Sequence, residues 1–382
     1  MKSSMCIGKR RGLILACLVT WVAFATRYAA AHPVAQGSLE VVVFPERINV
    51  TATVSMEEVL VAAAYGGQKH ASALEMVHWH GDYLLAHLRV TADGQPLDGL
   101  VVKIPEQADG RPIYGLEYRL ESGAPARIAL QEDVLREFEF APGNPWEASY
   151  VVRVQRHGGP VLEGLLLTSR EPLVIDLNAI TPGRGAWSSL DKARIAKDYI
   201  RHGIMHILSG YDHLLFIAAL ALAVATLRDL VKVISAFTFA HSLTLTLSVL
   251  NVVRLPGNIV EPMIAASIVF VALQNVIVPQ RSRGAGRLCV AFFFGLFHGL
   301  GFAGGLLSAM EGMASFAVGL AIVAFSLGVE IGHQMVVLPI FGALKIVRRA
   351  APQAAHVPGR VLQFGSAVIF VAGVCYLVAA LH

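Results

Sequence analysis

The feature that most constrains this chain is a series of apolar runs near 199–226, 230–252, 259–279, 287–310, 314–342 and 361–381. Each is long enough for the roughly 20 helical residues that cross a bilayer. Backbone inside lipid must satisfy its own hydrogen bonds, so such runs fold as helices. The expectation for 199–382 is a membrane all-α bundle of about six transmembrane helices. Composition agrees, because the 382 residues are 55% hydrophobic and 15% charged, above the soluble-domain range of about 45–50% apolar. A net charge of +4, dispersed in short loops, gives no footprint for a nucleic-acid partner. The lipid bilayer is the expected surrounding.

The first half has a different period. Lys9, Arg10 and Arg11 precede an apolar run from Leu13 to Ala25 and then Ala29-Ala30-Ala31, the pattern of a signal peptide over 1–31 cleaved before His32. From about Ser38 to Leu177, short β-branched runs such as LEVVVF, INVTATV, YLLAHLRV, YGLEYRL and SYVVRVQ alternate with turn signals at Asp93-Gly94, Asp109-Gly110 and Gly158-Gly159-Pro160. Those runs read as strands. The expectation is an exported all-β sandwich-like domain over 32–178, with one short helix near MEEVLVAAA and a linker over 179–198. Cys6 and Cys17 lie in the signal, and Cys289 and Cys375 in apolar runs, so no disulfide framework is encoded.

Charge sets the expected topology. With the β domain exported, Arg228, Lys232, Arg281, Arg283, Arg287, Lys345, Arg348, Arg349 and Arg360 fall in cytoplasmic loops, while the opposite loops carry essentially Arg254. The asymmetry follows the positive-inside rule. It puts the protein in the cell (inner) membrane as a multi-pass chain with its N-terminal domain on the extracytoplasmic side.

Ionisable side chains inside the spans cost roughly 2.5–3.5 kcal/mol each on insertion scales, which marks them as functional candidates. The first span, RHGIMHILSGYDHLLF, carries His202, His206 and His213 at offsets of four and seven, with Ser209 and Asp212 beside them. In one straight helix the three imidazoles share a stripe. His241 lies in the second span, Glu261 and Asn275 in the third, His298 in the fourth, and Glu330 and His333 in the fifth. Any one of these histidines alone reads as an interhelical hydrogen-bond partner. Four of them at one depth, with Asp212 and Glu330, read as a metal site, and imidazole with carboxylate suits nickel, cobalt or zinc. Gly203, Gly210, Gly295, Gly299, Gly301, Gly304, Gly305, Gly328 and Gly332 cluster around them, allowing close helix approach or a local break at GLGFAGG. In the exported half, His78 and His80 are expected on one side of a solvated strand, with His87 also at the surface.

HILSGYDHLLF, FTFAHSLTL, FGLFHGLGFA and FSLGVEIGH resemble the HupE/UreJ family of membrane proteins, in its longer branch with an exported N-terminal domain. The resemblance spans about 200–381. The family's His-x5-Asp-His element falls on His206, Asp212 and His213, and Ile207 stands where short members have proline. The resemblance implies a metal role like that of short members, which look like nickel or cobalt uptake permeases.

The primary metal set is therefore His206, Asp212, His213, His241, His298, Glu330 and His333, with His202, Glu261 and Asn275 as secondary candidates. The leading expectation is a divalent transition-metal permease, with the β domain capturing metal or an extracytoplasmic protein partner. One alternative is an intramembrane zinc hydrolase with Asp212 or Glu330 as general base. The other is a membrane anchor or assembly factor for the exported domain.

Overall fold

The computed structural model describes residues 34–381 apart from 69–70, 104–110, 122, 142–143, 180–188, 251, 254, 278–283, 310–314 and 351–356. The segment read as a signal peptide, with Cys6 and Cys17, and His32, Arg254, Arg281 and Arg283 lie outside the described residues.

The N-terminal half is β-rich, as expected. β1 (Val34–Val43), β2 (Arg47–Thr53), β5 (Gly99–Lys103), β6 (Ile113–Arg119), β10 (Glu147–Arg156) and β11 (Val161–Thr168) form a six-stranded sheet in the order β11-β10-β1-β2-β6-β5. β3 (Leu88–Ala92), β4 (Gln95–Pro96), β7 (Arg127–Glu132) and β12 (Leu173–Asp176) form a second sheet in the order β12-β7-β3-β4. The short strands β8 (Glu139–Ala141) and β9 (Asn144–Pro145) pair with each other. Alternation places Leu39, Val41, Ile48, Val50, Tyr150 and Val152 in one core with Leu130 and Ile175 of the second sheet, as period-2 burial requires. The word sandwich fits loosely, because β1 runs parallel to β10 and two helices share the core.

Those helices are α1 (Met56–Tyr65), which was expected, and α2 (Ala73–His87), which corrects a strand reading. Ser72 and Glu75 form a reciprocal capping box, Ser72 N–H donating to Glu75 Oε2 at 2.7 Å and Glu75 N–H to Ser72 Oγ at 3.3 Å. The buried positions Val77, His80, Gly81 and Leu84 are spaced i, i+3, i+4, i+7, the helical stripe. His78 and His80 consequently face opposite ways. His78 is exposed, whereas His80 is fully buried, its Nε2 3.3 Å from the equally buried Glu58.

Glu58 also accepts from Tyr150 Oη at 2.8 Å, and Glu132, 1% exposed, lies within the same electrostatic neighbourhood. Burial pushes the Glu132 carboxyl up to about 9, with the Glu58 charge adding and a bond from Val134 N–H opposing. A carboxyl raised on folding stays protonated in the native state while the unfolded chain ionises above about pH 4.3. Stability is therefore lost as pH rises from there toward 9, by on the order of 3–4 kcal/mol at neutral pH. Glu132→Gln is expected to raise the melting temperature at pH 7.5 and to flatten its dependence between pH 5 and 8. Thermal melts of the full chain in detergent at several pH values check this.

The C-terminal half is helical and membrane-like: α3 (Ser189–Ser209), α4 (Tyr211–Ala223), α5 (Leu227–Val249), α6 (Gly257–Ile277), α7 (Ala285–Ala309), α8 (Ser315–Ala350) and α9 (Val357–Ala380). Among the described residues, α5, α6, α8 and α9 are long and apolar enough to cross a bilayer, α3 with α4 makes a fifth, bent unit, and Ala285–Gly301 of α7 is a shorter apolar helix. Phe239, Val323 and Phe364 are 64–68% exposed, the outward apolar surface that lipid covers. The segment read as a linker is already helical from Ser189.

The run read as one straight first span breaks at Gly210, where α3 and α4 bend by 73°. Gly210 caps α4 in an extended conformation, so the single stripe of His202, His206 and His213 does not exist. α7, by contrast, remains helical through GLGFAGG.

Candidate metal centre

The bend achieves what a stripe would not. His206 closes α3 and His213 lies in the first turns of α4, and folding the two helices about Gly210 brings their rings to 4.8 Å between centroids. Around His213 stand His298 of α7 at 5.0 Å, His241 of α5 at 5.6 Å and His333 of α8 at 6.1 Å. Five helical segments thus deliver five imidazoles to one place.

Two sets of potential ligand atoms each lie within 4.8 Å of one another: His206, His213 and His241, and Asp212, His213 and His298. A shell with bonds of about 2.0–2.1 Å requires donors roughly 3–4 Å apart, within reach of a small side-chain rotation. His213 is common to both sets, and its Nε2 is 4.0 Å from Asp212 Oδ2.

The surrounding hydroxyls fix which ring nitrogens are bare. Thr238 Oγ1 donates to Ile234 O at 3.2 Å and lies 2.9 Å from His333 Nδ1. Ser267 Oγ donates to Ile264 O at 2.6 Å and lies 3.1 Å from His298 Nε2. A hydroxyl has one proton. Since each spends it on a backbone carbonyl, each must accept from the imidazole, which places the ring N–H on His333 Nδ1 and His298 Nε2. The lone pairs are then on His333 Nε2 and His298 Nδ1, both buried without a hydrogen-bond partner among the described residues. Both nitrogens of His241 and Nδ1 of His213 are likewise buried and unpartnered. Leaving a buried polar atom unsatisfied costs about 1–3 kcal/mol, so several such imidazole nitrogens in one cluster mark it as a candidate ligand site. The hydroxyl partners play the orienting part that ligating histidines generally require.

Close helix approach holds the cluster together. A Cβ on Gly203 or Gly328 would collide with the backbone of α8 or α3, and one on Gly295 or Gly299 with the backbone of α5. Phe237 packs against the rings of His298 and His333 at 5.1 and 5.3 Å, walling the site on its apolar side.

Not every predicted residue joins. Glu330 accepts from Ser235 Oγ at 2.9 Å and Gln334 Nε2 at 2.8 Å and belongs to neither ligand set, although its Oε2 is buried and unpartnered. Asn275 donates to Ala219 O at 2.8 Å and Ser366 Oγ at 3.1 Å, tying α4, α6 and α9 together away from the histidines. The fully buried Arg287 ends on the same Ala219 carbonyl at 2.7 Å, so a residue expected in a loop is a tie between helices. His202 and Glu261 line a cavity of about 1170 Å³ that also reaches His206, Asp212, His213 and His298. Sequence reasoning missed Thr238 and Ser267 as orienting groups, because a hydroxyl in a span has no spacing signal that separates this role from bonding its own helix backbone.

No curated protein and no solved structure matches the chain. Residues 186–380, slightly more than half of the chain, match the family described as HupE / UreJ protein, and every histidine of the cluster falls inside that match while the β domain lies outside it. The chain belongs to the HupE/UreJ family of membrane proteins.

Proposed function

We propose that the protein is a divalent transition-metal permease of the nickel and cobalt type handled by its family, with His213 at the centre of an intramembrane site. The observation that carries this reading is the set of bare, buried imidazole nitrogens on His213, His241, His298 and His333, with the lone pairs of the last two fixed by Thr238 and Ser267. Neutral imidazole ligates late first-row divalent ions, and one carboxylate adds affinity and charge compensation without the near-irreversible grip of a thiolate set. Two ligand sets sharing His213 suit transport, since a cation can change partners while keeping one ligand. Conduction needs sites that bind and release in succession. The loop charges support an arrangement in the inner membrane with the β domain extracytoplasmic.

The test is metal flux. Proteoliposomes holding the purified chain are expected to accumulate nickel or cobalt faster than protein-free vesicles, and Asp212→Asn is expected to slow this at least tenfold. Vesicles that admit no metal although the purified chain retains stoichiometric zinc would replace the permease with the intramembrane hydrolase.

A further inference from the structure

The cavity above the histidines is walled by both halves of the protein. Glu57 of α1, Glu147 of β10 and Glu171 before β12 reach it from the β domain, and Glu261, Asp212 and Tyr376 from the bundle. The halves are joined at its margin, where Arg194 Nη1 donates to Val174 O at 3.0 Å and Arg201 pairs with Glu171 at 3.2 Å.

Besides the acids named, Asp198 and the cations Arg111, Arg170, Arg194, Lys197 and Arg201 line the cavity, and Arg194, Lys197 and Arg201 lie within electrostatic reach of Asp198. Glu147 is neutralised by Arg170 at 3.2 Å and Glu171 by Arg201. Glu57, Glu261 and Asp212 have no Lys or Arg ion pair among the described residues. Glu57 and Glu261 are exposed, while Asp212 is half-buried. These three line one cavity. The protein around the cavity raises the Glu57 carboxyl, and the charge of Glu261 raises it further, so the two sense each other across the seam. Tyr376 lies within electrostatic reach of both Glu261 and Asp212. Asp212 in turn shares a ligand set with His213 and His298, which line the same cavity and whose Nδ1 atoms are buried and unpartnered among the described residues. Carboxylates without an ion-pair partner on the wall of a recess attract cations locally.

We propose that the seam between the β domain and the bundle is the entrance of the metal path, with Glu57 and Glu261 forming an outer station for a hydrated divalent cation that Asp212 passes to His213 and His298. The β domain thereby contributes a ligand to the path itself. Hard, exposed carboxylates hold a hydrated ion loosely, and the imidazoles beyond take it once water is shed. The inference rests on the permease reading of the histidine site.

The experiment follows loading of the purified full chain with nickel chloride, using a chromogenic chelator to time uptake and elemental analysis for final content. Glu57→Gln/Glu261→Gln is expected to reach the wild-type content at least tenfold more slowly, with the gap narrowing in high salt as screening rises. Glu75→Gln, outside the cavity, is expected to load at the wild-type rate. A double variant that loads as fast as wild type overturns the entrance. If wild type takes up no nickel, or His213→Ala takes up as much, the permease reading itself fails and the entrance with it. If His213→Ala stays empty while the double variant loads normally, only the entrance is lost.

Discussion

Replacing His213 by alanine is expected to weaken nickel or cobalt binding by at least 100-fold, about 2.7 kcal/mol or more. His213 is the one residue common to both ligand sets, and its ring is the neighbour of His206, His241, His298 and His333. No single remaining set keeps three donors without it. Equilibrium binding to the purified chain checks the loss, and Asn275→Ala provides the contrast. Asn275 is also fully buried and polar, but it ties Ala219 O to Ser366. Its loss is expected to lower the melting temperature and leave metal affinity near wild type.

The second large effect belongs to a glycine. In Gly328→Ala the new methyl would overlap the carbonyl of Ile200, with the carbonyl carbon and Cα of the same residue 2.8 and 2.9 Å away. These are backbone atoms, so relief requires α3 and α8 to move apart, and overpacking of this kind costs typically 1–3 kcal/mol or more. Separation also displaces His206 on α3 from the cluster, so stability and metal binding fall together. Gly319 and Gly342 lie on the same helix with nothing within 4 Å of a Cβ. Alanine there is expected to be neutral or stabilising, since glycine costs about 1 kcal/mol in a helix interior. Melting curves and nickel binding for the three variants separate steric fit from helix propensity.

Much of this was legible in the sequence because the governing signals are local. Strand alternation located β1, β2, β6 and β10, and apolar length located the helices of the bundle. The polar residues within those runs pointed to the cluster, since a buried imidazole in lipid needs a reason. The α2 helix was misread because HWH suggests a period of two, whereas its capping box and the stripe Val77, His80, Gly81 and Leu84 carry a period of 3.6. The break at Gly210 was hidden for a related reason. His202, His206 and His213 match a helical offset, and a glycine within an apolar run signals close packing as readily as a cap. What brings His206 to His213 is the 73° bend, a tertiary fact. That Glu330 and Asn275 hydrogen-bond to neighbouring helices was also beyond sequence, because a ligand and a tie between helices require the same polarity at the same depth.

The most direct measurement of the central claim is X-ray absorption at the nickel edge on the purified, metal-loaded full chain. The account predicts about one nickel per chain, with three or more imidazole nitrogens in its shell, and loss of that signal in His213→Ala. A shell of oxygen alone, or an unchanged spectrum in the variant, would contradict it.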